Sequence, residues 1–248
     1  MAKANKMAKI TLIFWFMKII ATTLGETLGD FISITSKLGY LTGLIITLAF
    51  FLTVLAIQLT RKKYIPLYYW LVIVATTTFG TEISDFMDRS LKLGYTWGSF
   101  ILFLCLISSL SAGYKRFGNL DIYPIFDRNK EIYYWTAILF SNSLGTAFGD
   151  YLSDVLGLSY LTGAGVTAGI IVLVVLLHYA TKINEIVLFW IAFIFTRPFG
   201  ATFGDFLTKP SSSGGLHLST LYASLIAITL LGILIFVAHK KHSEPIEE

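Results

Sequence analysis

Four aspartates fall in strongly apolar stretches of this chain, each at the same setting. Each follows a tryptophan by fifteen residues and a glycine by five: Trp15, Gly25, Asp30; Trp70, Gly80, Asp85; Trp135, Gly145, Asp150; and Trp190, Gly200, Asp205. A carboxylate is expensive to keep in an apolar segment, so one kept four times marks a group that is wanted there. Carboxylate oxygens bind hard cations and protons. The spacing therefore points to cation or proton handling, with Asp30, Asp85 and Asp150 as candidate metal ligands.

Further acids join them at helical spacing. Glu26 is four residues before Asp30, Glu82 three before Asp85, Asp88 three after it, and Asp154 four after Asp150. Residues at these separations share a helix face. Two carboxylates on one face at low dielectric do not both ionise cheaply unless a cation or a proton joins them. The fourth unit differs: Asp205 has Lys209 four residues on and Arg197 eight residues back, which reads as internal neutralisation. Asp205 or another unit's aspartate is the expected partner of Arg197, and Arg197 is also an internal cation able to occupy the site once a substrate has left. A second polar layer lies three positions before each glycine, at Thr22, Thr77, Asn142 and Arg197. It is read either as completing a hard-cation site or as interhelical hydrogen bonding.

Long apolar helices must position these groups. The chain is 55% hydrophobic and 14% charged over 248 residues, against about 25% charged in a soluble domain. Mean hydropathy is +0.72. A spanning helix needs about 20 mainly apolar residues. Eight such segments are expected, at 11–34, 41–60, 67–88, 94–113, 133–154, 160–180, 187–208 and 217–238. The fold expected is an all-α membrane protein forming a single integral domain. Its four two-helix repeats cover 11–60, 67–113, 133–180 and 187–238. The odd-numbered helix of each carries Trp, Gly and Asp. Gly25 and Gly29, Gly80 and Ser84, Gly145 and Gly149, and Gly200 and Gly204 are each four apart, a spacing that lets helix backbones approach closely in lipid. Three even-numbered helices open with related strings: Gly39-Tyr40-Leu41-Thr42-Gly43, Gly94-Tyr95-Thr96-Trp97-Gly98 and Ser159-Tyr160-Leu161-Thr162-Gly163.

Loop charges set the orientation. Lys3, Lys6, Lys9, Arg61, Lys62, Lys63, Lys115, Arg116, Arg128, Lys130, Lys182, Lys240 and Lys241 lie on the N-terminal side, against Lys37, Arg89, Lys92 and Lys209 on the other. Thirteen against four places both termini in the cytoplasm. Two spans per unit give parallel repeats, related by a pseudo-symmetry axis along the membrane normal. The four motif tryptophans, near the cytoplasmic helix ends, are read as interfacial anchors. The net charge of +4 resides in short loops, so nucleic-acid binding is not expected. One cysteine, Cys105, excludes an intrachain disulfide. No phosphate loop, His-Glu-x-x-His or nucleophile–base arrangement is found, which argues against an enzyme, and no cofactor is implied.

Four tandem two-span units sharing Trp15, Trp70, Trp135 and Trp190, with the Gly and Asp positions above, resemble a bacterial family of membrane-anchored proteins that carry a domain of unknown function four times. The resemblance covers essentially the whole chain and implies the architecture without naming an activity. More locally, Glu26-Thr27-Leu28-Gly29-Asp30 is similar in its chemistry to the acidic Gly-Asp motif of cation/proton exchangers that export calcium or manganese.

The function expected is secondary active transport of a small cation, a divalent metal foremost, coupled to protons through Asp30, Asp85, Asp150, Asp205, Glu26 and Glu82. Thr22, Thr77, Asn142 and Arg197 would support them. A cation channel with an aspartate ring and a non-transporting membrane scaffold or sensor are the alternatives. The expected partners are the lipid bilayer and the cation or proton itself, in a bacterial or archaeal plasma membrane; a homo-oligomer is compatible with the sequence.

Overall fold

The computed structural model describes residues 5–243, with side chains described to residue 239. Lys3, Lys240 and Lys241, counted above toward orientation, lie outside the described side chains. The described residues form eight α-helices and no strand: α1 (Leu12–Asp30), α2 (Tyr40–Thr60), α3 (Pro66–Asp85), α4 (Gly94–Phe117), α5 (Arg128–Asp150), α6 (Tyr160–Ala180), α7 (Glu185–Thr208) and α8 (Thr220–Ser243). Local signals start several of them. Thr11, Asp127 and Asn184 each accept a backbone N–H of the helix they precede, and Pro66 opens α3 where no donor is needed. Immediately after Asp30, Asp85 and Asp150 the helices widen into single π-helical turns, Phe31–Thr35, Phe86–Ser90 and Tyr151–Val155. The chain then reverses through left-handed glycines, Gly39 (φ 78°) and Gly94 (φ 74°) among them. That backbone region costs glycine nothing.

Six helical segments are long and apolar enough to cross a membrane: Leu12–Thr35, Tyr40–Thr60, Gly94–Phe117, Tyr160–Ala180, Glu185–Thr208 and Thr220–His239. This is the pattern of a multi-pass membrane protein. Helices α3 and α5 are comparable in length but more polar, because their buried faces carry Thr76, Thr77, Thr78 and Thr81 or Ser141, Asn142, Ser143 and Thr146.

The odd helices close a ring. Helix α1 packs on α3 and α7, α3 on α5, and α5 on α7. Each even helix leans on the odd helix of the next unit: α2 on α3, α4 on α5, α6 on α7, and α8 on α1. The exposed rows Leu41, Ile45, Leu48 and Leu52, and Leu161, Leu173 and Leu176, lie on these outer helices.

The glycines act as sockets. A Cβ on Gly25 would overlap Thr77, one on Gly80 Asn142 and Ser143, one on Gly145 Arg197 and Pro198, and one on Gly200 Thr22. Each first glycine thus receives the polar residue that precedes the glycine of the next unit, and the cycle closes from the fourth unit to the first. Gly29, Gly149 and Gly204 repeat the scheme one turn on, against Thr81, Ala201 and Glu26. Gly25→Ala would place its methyl 2.9 Å from the Thr77 carbonyl carbon, so α1 and α3 must separate. The expected cost is about 1–3 kcal/mol, read as a lower detergent-unfolding midpoint. Gly165→Ala, with open space around it in α6, is the control expected to leave the midpoint unchanged or raise it.

Three of the four motif tryptophans are buried in the protein, where the sequence suggests interfacial anchors, and Trp15 is half-buried. Trp70 and Trp135 are 1% exposed. The aromatic residue preceding each motif tryptophan packs against the tryptophan of a neighbouring unit: Phe14 on Trp70, Tyr69 on Trp135 and Tyr134 on Trp190, while Phe189 meets Trp15, with ring centroids 5.4–6.4 Å apart. Tyr69 and Tyr134 also share a hydrogen bond of 2.7 Å. Beneath this layer the segment before α1 is fastened down. The Tyr64 N–H donates to the Asn5 carbonyl, and Lys6 pairs with the fully buried Glu131, which also accepts from Gln58 Nε2 at 3.1 Å.

Candidate functional site

Inside the ring, the residue three after each motif tryptophan and every fourth residue beyond it face inward, so the interior is built in layers. Nearest the tryptophans lie Lys18, Ile73, Ile138 and Phe193; then Thr22, Thr77, Asn142 and Arg197; then Glu26, Thr81, Thr146 and Ala201; and last Asp30, Asp85, Asp150 and Asp205. All sixteen are buried. A spacing of four residues keeps side chains on one helix face, which explains the stacking.

Arg197 occupies the middle. Its Nη2 donates to Glu26 Oε2 at 2.9 Å, Thr81 Oγ1 at 2.5 Å and Thr146 Oγ1 at 2.7 Å, so one guanidinium reaches the inward residues of three other units. The sequence points to an aspartate as its partner; the partner is Glu26, because that layer is one turn closer than the aspartates. Thr22 and Thr77 direct their hydroxyls to backbone carbonyls, of their own helices and of Thr196 and Ala21. Asn142 accepts from Lys18 Nζ at 2.9 Å and donates to Thr76 Oγ1 at 3.0 Å. The polar layer is therefore interhelical bonding in this geometry, with no oxygen shared with the aspartates.

Lys18 escaped the sequence reading. It is fully buried, with its ammonium 3.9 Å from the centroid of the Phe193 ring. Its signal is a lone charge in the first apolar run, three residues after Trp15.

The aspartates divide into two pairs, each around a cation. Lys209 Nζ lies 2.6 Å from Asp30 Oδ2 and 3.2 Å from Asp205 Oδ1. Arg89 lies 3.3 Å from Asp85 through Nε and 3.4 Å from Asp150 through Nη2, and donates from Nη1 to the Tyr40 hydroxyl at 2.9 Å. Each cation stands four residues after its own unit's aspartate and bridges to the aspartate of the next unit; the first and third units have Ile34 and Asp154 at that position. Burial pulls the Lys209 ammonium toward losing its proton, but Asp205 and Asp30 outweigh this and hold its pKa above the ordinary lysine value.

Asp30, Asp85 and Asp150 therefore do not form one ligand set. Among the described residues, the carboxylates that converge are Glu26, Asp30 and Asp205, each offering an oxygen within 4.8 Å of the others, all buried, at the seam between α1 and α7. Glu82 stands off the axis, accepting from Ser33 Oγ at 2.5 Å beneath Gly43 of α2. Asp88 is likewise lateral, under Gly98 of α4, and Asp154 is exposed.

The family described as Repeat of Unknown Function (DUF347) matches residues 13–64, 68–117, 133–184 and 188–243. No curated protein and no solved structure matches.

Proposed function

Because this chain belongs to the DUF347 repeat family, whose description names no activity, we propose a function from its own geometry: proton-coupled carriage of a small cation, with a divalent metal as the substrate class. The observation that carries the reading is the Glu26–Asp30–Asp205 cluster with the Lys209 ammonium lodged in it. Three carboxylates and the Arg197 guanidinium sum to two negative charges, which a divalent cation balances once Lys209 withdraws. Lys209 then acts as a tethered stand-in for the substrate. One state holds the metal and the other holds the lysine, so the acids never face low dielectric without a counter-charge. Protons taken up by carboxylates as the metal leaves supply the coupling.

The architecture we propose for this task is eight spans in four parallel repeats about an axis along the membrane normal. Its support is that the tryptophan ends of all four odd helices meet at one end and the aspartate ends at the other. In this reading the outer helices face lipid, and the loop charges favour a cytoplasmic tryptophan end with both termini on that side, in a bacterial or archaeal plasma membrane. An open pore is the weaker reading, since the Arg197 guanidinium, held by three other units, stands in the interior a permeating cation would follow.

Flux of manganese and calcium into proteoliposomes, with and without an imposed pH gradient, tests the reading. Saturable, gradient-driven flux is expected; conductance without saturation would favour the channel. Lys209→Met separates binding from turnover. Its apparent metal affinity by calorimetry is expected to rise about tenfold, since about 1.4 kcal/mol of internal competition disappears, while net flux is lost. Weaker binding in this variant would remove the stand-in role.

A further inference from the structure

The two charged seams are not equivalent, and three features separate them. The first is the cation. At α3–α5 it is Arg89, whose fork engages Asp85, Asp150 and the Tyr40 hydroxyl together. A planar guanidinium that donates to Asp150 and the Tyr40 hydroxyl while pairing with Asp85 is a multidentate lock. At α1–α7 it is Lys209, a single ammonium on a flexible stem between Asp30 and Asp205. The second feature is chain order. A linear chain folded into a closed ring leaves one seam without a linker. Residues 61–65, 118–127 and 181–184 connect successive units, so the seam without one lies between the fourth unit and the first. The third feature is Pro198. It stands inside α7, where it removes an intrahelical hydrogen bond, whereas the proline of α3 is at its first residue and α1 and α5 contain none. Beyond Pro198 lie Asp205 and, at the helix end, Lys209.

We propose that the outer segment of α7, residues 199–208, hinges at Pro198 and opens the α1–α7 seam to admit the cation, while Arg89 keeps the α3–α5 seam shut as the fixed side of the ring. The chain then has one working cation site, and Arg89 is a positioning residue. This deepens the carrier reading and rests on it for the identity of what enters.

Paired spin labels in a Cys105→Ser background provide the test. Ser36 with Ser211 spans the α1–α7 seam, and Leu91 with Leu156 spans α3–α5 at the equivalent positions; all four are exposed. With the full chain in lipid nanodiscs and calcium as a diamagnetic probe, the 36–211 distance is expected to show two populations, the longer one shrinking as calcium is added. The 91–156 distance is expected to stay single. Pro198→Ala should remove the longer 36–211 population, and Arg89→Lys should create a second one at 91–156. Equal behaviour at both seams, movement confined to 91–156, or a single 36–211 distance throughout would overturn the inference. Its failure is distinct from that of the carrier reading: cation flux with a rigid α1–α7 seam removes the hinge alone, and a moving seam without flux removes the carrier alone.

Discussion

Replacing Arg197 by methionine is expected to cost about 3–5 kcal/mol of stability, the range for removing one partner of a buried ion pair. The guanidinium is fully buried and donates to Glu26, Thr81 and Thr146. Without it the Glu26 carboxylate remains in the ring interior with the Thr81 hydroxyl, 3.5 Å away, as its hydrogen-bond donor. Methionine keeps much of the volume, so cavity formation adds little. The double variant Arg197→Met with Glu26→Gln removes the stranded charge and is expected to recover a large part of the loss. Unfolding in mixed micelles followed by circular dichroism reads both. A single variant as stable as the parent would mean that the central ion pair is not what holds the four units in register.

Asp30→Asn is the second large effect, and it concerns flux. The substituted side chain would have the same shape and one negative charge fewer, leaving the cluster with Glu26 and Asp205 against Arg197. The metal then meets one net negative charge in place of two. A loss of about 2–3 kcal/mol in binding, on the order of 100-fold, is expected, with gradient-driven flux falling to background. Folding should change much less, because Lys209 keeps Asp205 at 3.2 Å. Asp150→Asn provides the contrast. It lies at the Arg89 seam and is expected to retain metal binding at the other seam. Equal metal affinity in Asp30→Asn and the parent would remove Asp30 from the site.

Much of the architecture was legible because it repeats. The eight helices and the small-residue sockets between them follow from periodicity. Which groups meet across units was not legible, because spacing along one helix says nothing of its rotation against the next. Asp30, Asp85 and Asp150 look equivalent in sequence, yet Arg89 draws Asp85 and Asp150 into one pair and Lys209 draws Asp30 to Asp205. The tryptophans look like anchors because aromatic residues near helix ends usually are. The informative residues are their neighbours Phe14, Tyr69, Tyr134 and Phe189, an aromatic at the same place in every unit, which turns each tryptophan toward another helix. Lys18 went unread because a single lysine in one unit has no counterpart to draw the eye.

The basic residue four positions after the aspartate occurs in the second and fourth units and is absent from the first and third. A ring with that alternation is what two copies of a two-unit polypeptide make when they pair about a two-fold axis, where a seam and its mate are identical by necessity. In such a dimer, one substitution would alter both seams. A single chain of four units is free of that constraint. Arginine can settle at one seam and lysine at the other, and division of labour between two halves of a ring becomes heritable.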